Sequence, residues 1–260
     1  MRICAITLSP QGALVLERIR KMIPAVDCYV HENVATPPWV KKFSRVVELT
    51  RQLFGKYEGL VYVAPCGAVI RAIAPLATDK KTDPAVVVVD VGGRHAISLL
   101  SGHEGGANEL ALQVANAIGA EPVITTTTEA VKNLIVGVGM RRGRPAADIV
   151  AAVTQAMAEV KSTVADARFL ASADIKHDEA GLIEAARIMD IPLRFIDGEE
   201  IRNSTRHFDH SDFVWKKVNL PAVAEPCALL AGRRTKLILK RKICNGVTVA
   251  VARENCLSLE

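Results

Sequence analysis

Short runs of β-branched and other apolar residues alternate along this chain with longer segments whose apolar positions recur every three or four residues. Runs of the first kind suit buried strands and segments of the second kind suit helices packed on them. The alternation therefore predicts an α/β fold, two α/β domains with largely parallel sheets. In the first half the pattern predicts strands at 1–8, 28–30, 60–64, 85–90 and 96–100, and helices at 10–22, 38–54, 68–73 and 107–118. The string AVVVVD at 85–90 is the plainest, because an unbroken β-branched run fits a central strand buried on both faces. Ser9 caps the first helix, Gly55 closes the second, Pro75 stops the third, and 122–125 ends this half. The second half predicts strands at 134–138, 168–173, 193–196, 236–239 and 247–251, with helices at 146–160, 179–189 and 222–231. The boundary falls near 129–132, giving domains 1–131 and 132–260 without a low-complexity linker.

Composition then removes several classes of function. Half of the residues are hydrophobic, enough for a sizeable core without covalent staples. The six cysteines are scattered and form no C-x-x-C pair, which fits a reducing cytoplasm better than a disulfide framework. No apolar run approaches the roughly 20 residues that span a bilayer, and 1–8 is too short for a signal-peptide core, so no membrane partner is expected. A net charge of +5 accompanies only 4% aromatic residues and dispersed Lys and Arg, which argues against nucleic acid and leaves room for a small polyanion.

Four loops that follow predicted strands carry unusual residues, and ligands of open α/β sheets bind beyond strand ends. In APCGAVIR (64–71), Gly67 permits a tight turn and Arg71 lies on the helix that follows, either as a surface arginine or as a carboxylate ligand. In LLSGHEGGANELA (99–111), Gly102, Gly105 and Gly106 allow backbone shapes closed to other residues, and the amides of 105–107 open a helix. That is an anion or oxyanion site with His103 and Glu104 beside it as general base or acid, or else a glycine turn with a solvated His–Glu pair. GVGMRRGRP (137–145) spaces its glycines G-x-G-x-x-x-G, which misses the dinucleotide fingerprint; Arg141, Arg142 and Arg144 suit carboxylates or phosphates instead. SADIKHDEAG (172–181) reads largely as helix capping, which leaves Ser172 and Lys176 unexplained. The pair His207 and His210 lacks a third convergent ligand for zinc, and Cys66 has no neighbouring histidine to activate it.

Several strings taken together resemble the CbiG family of cobalamin biosynthesis. IAPLATDKKTDPAVVVVD (73–90), ISLLSGHEGGANELA (97–111) and PVITTTTEA (122–130) resemble its N-terminal part. GVGMRRGRPAADIV (137–150), LASADIKHDEAGL (170–182) and VNLPAVAEPCALLA (218–231) resemble its C-terminal part, which also occurs alone as the CobE-type protein. Three departures stand out: the family's middle region is absent between Thr128 and Leu134, Met140 stands where cysteine is common, and Glu104 where apolar residues are common.

The resemblance implies a cytoplasmic cobalt-precorrin-5A hydrolase that opens the ring-A δ-lactone and releases the C20 unit as acetaldehyde. Its partner is a tetrapyrrole whose cobalt arrives inside the substrate, so no cofactor or protein-bound metal is expected; self-association or transient contact with neighbouring pathway enzymes is compatible with it. On this reading His103 is the general base, assisted by Glu104, and the amides of Gly105, Gly106 and Ala107 stabilise the oxyanion. Arg71, Ser101, Gly102, Asn108, Gly139, Arg141, Arg142, Ser172 and Lys176 complete the expected substrate site, in a pocket between the two halves. The alternatives are a non-catalytic corrinoid binder or carrier and, against the glycine spacing, a dinucleotide-dependent oxidoreductase.

Overall fold

The computed structural model describes residues 1–35 and 37–259; Glu260, the expected end of the second domain, lies outside them. The chain divides into two compact units, Met1–Thr126 and Thr127–Glu260.

The first unit is built on a seven-stranded sheet. Its strands are β1 (Ile3–Thr7), β2 (Asp27–His31), β3 (Lys41–Phe43), β4 (Gly59–Val63), β5 (Ala85–Val89), β6 (His95–Leu100) and β7 (Glu121–Val123), in the order β3-β2-β1-β4-β5-β6-β7. Its helices are α1 (Pro10–Met22), α2 (Val46–Leu53), α3 (Cys66–Ile73) and α4 (Ala107–Ile118). Every neighbouring pair runs parallel except β5 and β6. All five residues of β5 are buried, as the β-branched run demands. One face of the sheet packs on α1 and α4 through Leu16, Ile19, Leu110 and Val114, and the other on α2 and α3 through Leu49, Leu53, Val69 and Ile73.

The helix expected at 38–54 is not one element. Lys41–Phe43 pairs in parallel with β2 as an edge strand, and the helix starts only at Val46. Phe43 is buried while Lys41 and Lys42 stay exposed, so a short strand places the same apolar residues inward and also satisfies the free edge of β2. Asp27 ties this edge down: it accepts from Lys41 Nζ (2.8 Å) and from the Tyr57 hydroxyl (2.7 Å).

The second unit has strands β8 (Leu134–Met140), β9 (Ala167–Ala173), β10 (Leu193–Ile196), β11 (Thr235–Cys244) and β12 (Val247–Glu254), in the order β10-β9-β8-β12-β11. β8, β9 and β10 are parallel, whereas β12 runs against both β8 and β11. The helices are α5 (Thr127–Ala130), α6 (Ala146–Glu159), α7 (Ala180–Met189), α8 (Gly198–Arg202), α9 (Asp212–Val218) and α10 (Ala224–Leu230). α6 and α7 cover the sheet through Ile149, Val153, Met157, Leu182 and Ala185. α10 lies directly on β8: a Cβ on Gly137 would run into the Ala224 carbonyl and stand 2.7 Å from the Ala228 nitrogen. The short helices α5, α8 and α9 have no counterpart in the predicted pattern. All six cysteines are free thiols. No helix among the described residues is long and apolar enough to cross a membrane.

Candidate functional site

Strand direction decides which candidate residues meet. β1 and β4 are neighbours with connections leading to opposite sides, so their carboxyl ends form the usual crevice of an open sheet. Thr7 is buried there with its hydroxyl donating to the Val63 carbonyl (3.0 Å), and Ser9 caps α1 by accepting from the Gly12 amide (3.1 Å). Arg71 stands exposed on α3 at this edge, its guanidinium reaching only the Gly67 carbonyl of its own helix (3.5 Å). β6 runs the other way, and its register sets Leu100 opposite Val86. The glycine loop after β6 therefore lies at the amino edge of β1, β4 and β5, a strand length of about 17 Å from Arg71. Arg71 and His103 do not share a pocket. The reversal is made by the turn after β5, where Asp90 accepts from the amides of Gly92, Arg94 and His95, which hold its carboxyl below the usual range despite burial.

The loop itself is tightly built. Ser101 has φ 58°, in the left-handed region, and its carbonyl accepts from the Ala107 amide (3.1 Å), while the Gly102 carbonyl accepts from the Asn108 amide (2.9 Å). A Cβ on Gly105 would overlap the Ser101 side chain and approach its carbonyl to 2.9 Å, and Gly106 has φ 82°, so both positions require glycine. Asn108 accepts from Ser98 Oγ (2.8 Å) and donates to Thr126 Oγ1 (2.9 Å), and Thr126 also stands against Gly102. Asn108 and Gly102 are thus parts of the loop's frame rather than free ligand groups.

Ala107 is likewise removed as an oxyanion donor, because its N–H is already spent within the turn. The amides of Gly105 and Gly106 make no hydrogen bond among the described residues. Glu104 is ion-paired with Lys80 (3.0 Å). His103 is exposed and has neither a hydrogen bond nor an ion pair among the described residues. Ser101 is buried, and its Oγ has no partner there.

In the second unit the expected residues do come together, at the carboxyl edge of β8 and β9, but most are engaged by neighbouring groups outside the expected set. Ser172 is fully buried and donates to the Val138 carbonyl (2.9 Å). Lys176 donates to Glu179 Oε2 (3.2 Å), whose other oxygen accepts from the Gly143 amide (2.7 Å). Arg142 donates to Asp178 (2.9 Å) and to the Ile175 carbonyl (2.8 Å), and this bond draws the Asp178 carboxyl below its ordinary range. Gly139 lies inside β8, where an added Cβ would stand 3.2 Å from the Val223 side chain at the start of α10. The G-x-G spacing serves helix packing, not a ligand. Lys176 and Arg142 clasp the 141–144 loop to the start of α7. Of the basic residues expected in this unit, Arg141 alone keeps its charge clear of ion pairs among the described residues; its guanidinium lies 5.4 Å from the Phe213 ring centre.

Sequence reasoning assigned Glu179 to helix capping and missed it as the hub of this clasp. It also missed α9, whose DFVWKKV pattern was the available signal. Asp174, at the same edge, holds a buried carboxylate oxygen without a partner among the described residues. A groove of about 390 Å³ in the first unit, lined by Leu14, Trp39 and Val40 among others, includes none of the expected residues.

Comparison with known proteins matches both units. The family profile described as "Cobalamin synthesis G N-terminal" (CbiG_N) matches residues 48–129, and "Cobalamin synthesis G C-terminus" (CbiG_C) matches 134–252. A cobalt-precorrin-5A hydrolase of Salmonella typhimurium is 41% identical over 122 residues, 47% of this chain and 34% of that protein. One of Priestia megaterium is 28% identical over 312 positions, 82% of this chain and 83% of the relative. Protein CobE of a Sinorhizobium species is 30% identical over 128 residues, 48% of this chain and 83% of the relative. The 312 aligned positions exceed the 260 residues of this chain, so the Priestia protein carries a stretch that this chain lacks.

Proposed function

This chain belongs to the CbiG family of cobalamin-synthesis proteins, carrying both its N-terminal and its C-terminal domains, and from that membership we propose that it is a cobalt-precorrin-5A hydrolase. The observation that carries the reading is the presence of both domains in one chain, together with hydrolase relatives that align to it. The proposed reaction opens the ring-A δ-lactone and releases the C20 unit as acetaldehyde. The cobalt is part of the substrate.

Lactone opening needs an activated water and donors for the oxyanion that forms when it adds to the carbonyl. In this proposal His103 takes the proton from water, and the Gly105 and Gly106 amides, left unbonded at the start of the twelve-residue α4, receive the oxyanion. Glu104, ion-paired with Lys80, steadies the loop against the 78–83 turn. The fixed geometry of Ser101, Gly102 and Asn108 keeps the donors aimed without reorganisation during the reaction.

The test is to incubate the purified chain with cobalt-precorrin-5A, trap acetaldehyde and weigh the corrinoid product. Acetaldehyde with the matching mass loss is expected, and His103→Ala should lower turnover by about 10²- to 10⁴-fold. Full turnover in that variant would remove the proposed base. One observation favours a second reading, a corrinoid binder without catalysis: the stretch present in the Priestia relative and missing here. That reading expects bound, unchanged substrate and no acetaldehyde.

A further inference from the structure

Helix α9 carries Phe213, Val214, Trp215 and Val218 in seven residues, yet buries none of them. Phe213 is 53% exposed and Trp215 45%, in a chain with only 11 aromatic residues. A solvated surface helix is ordinarily polar on its outer face, and one this short gains little stability of its own. It is held at its ends instead: the Ser211 amide donates to the Pro221 carbonyl (2.8 Å), Arg202 reaches the Asn219 carbonyl (3.4 Å), and Leu220 is buried. The segment crosses the carboxyl edge of the second sheet. Leu220 and Asp174 both stand within 3.5 Å of a Cβ placed on Gly198, and Val223 packs on Gly139.

Cations gather on this face. Lys216 and Lys217 lie three and four positions after Phe213 and so share its side of the helix. Both are exposed, and neither makes an ion pair among the described residues. Arg141, from the loop after β8, lies over the Phe213 ring. The acidic neighbour Asp212 faces His210 (3.4 Å), which in turn packs on Trp215 with 5.7 Å between ring centres. An exposed aromatic face beside three cations that make no ion pair among the described residues fits a ligand with a flat, apolar π-surface and carboxylates at its rim.

We propose that the Phe213 side of α9, together with Arg141, is the docking platform for a carboxylated tetrapyrrole macrocycle. The ring system stacks on Phe213, and peripheral carboxylates meet Arg141, Lys216 and Lys217. This deepens the hydrolase reading and rests on it for the substrate class. It replaces Arg142 and Lys176, whose charges are engaged in the clasp, as the groups that hold the carboxylates.

The test uses the full chain in a Trp39→Phe background, so that Trp215 is the sole tryptophan, and titrates it with cobalt(III) uroporphyrin while following fluorescence quenching. Saturable quenching is expected, with Phe213→Ala and Arg141→Ala each weakening Kd about tenfold and Lys217→Glu also reducing its salt dependence. Leu14→Ala, on the exposed surface of the first unit, should change nothing. Unchanged Kd in both Phe213→Ala and Arg141→Ala overturns the platform. So does a Phe213→Ala variant that turns a sedimenting dimer into a monomer at constant Kd, which would make the face a self-association surface. The two proposals fail separately. Acetaldehyde release with an unaltered KM in Phe213→Ala leaves the hydrolase and removes the platform; Phe213-dependent binding without acetaldehyde leaves the platform and removes the hydrolase.

Discussion

At the scale of single residues, glycine does two different jobs in this chain, and substitution separates them. Gly137 has an ordinary backbone conformation but no room, since its Cβ would meet the Ala224 carbonyl beneath α10. Gly143 has open space around it but φ 75°. Gly137→Ala is expected to cost about 3 kcal/mol or more, because the helix must back away from the sheet. Gly143→Ala should cost only about 1 kcal/mol, the penalty of a left-handed alanine. Thermal melts of the two variants check the order, and equal losses would contradict the packing account. The sequence displayed these glycines but not their purposes: the spacing at 137 and 139 invites a ligand-loop reading, and only the return of α10, more than eighty residues later, shows what they accommodate. His103 and Glu104 were legible as a chemical pair because residue type alone suggests it. The engagement of Ala107 was not, since it depends on a left-handed serine six positions earlier.

Among elements, the strong periodicities were readable and the short or edge pieces were not. α1, α4 and β10 fall at their expected bounds because capping, a glycine terminator or a tight apolar run marks them. β3 escaped because its pairing partner, β2, lies outside any local window. Asp27 carries the chemistry of that edge. Hydrogen bonds from Lys41 and then Tyr57 draw its carboxyl below the ordinary range against the opposing effect of burial.

A folded-state value below the unfolded one means the Asp27 tie is fully present above the unfolded carboxylate range, about 4, and is lost as pH falls beneath it. Asp27→Asn should therefore flatten the acid side of the stability profile relative to the parent in urea melts at pH 3 and pH 7. A parallel loss in both proteins would show that the tie adds nothing. The clasp at the start of α7 gives a second case. Glu179 and Lys176 are both buried, so Glu179→Gln leaves an unpaired ammonium and should destabilise by about 3 kcal/mol, with faster amide exchange at Gly143.

For the molecule as a whole, the consequential surprise is direction. Reading loops after strands as one edge assumes that all strands point one way; β6 points the other way, and with it the glycine loop moved from the arginine's edge to the opposite one. The reversal was nonetheless legible: only residues 90–94 separate β5 from β6, too few for the crossover that parallel neighbours need, so a short turn there already implies an antiparallel pair.

The joint between the units is α5, four residues that bury nothing, and the two family matches leave only 130–133 between them. Inserting a flexible Gly–Ser segment of about ten residues after Ala130 should leave the melting temperature within about 1 °C, because loop length enters stability only logarithmically. A drop of several degrees would mean that the joint is packed more closely than its exposure indicates. An uncommitted seam of this kind is a place where genes can be lengthened or trimmed without either fold registering the change. Longer and shorter members of one lineage can then differ by a whole segment while each half remains recognisably itself.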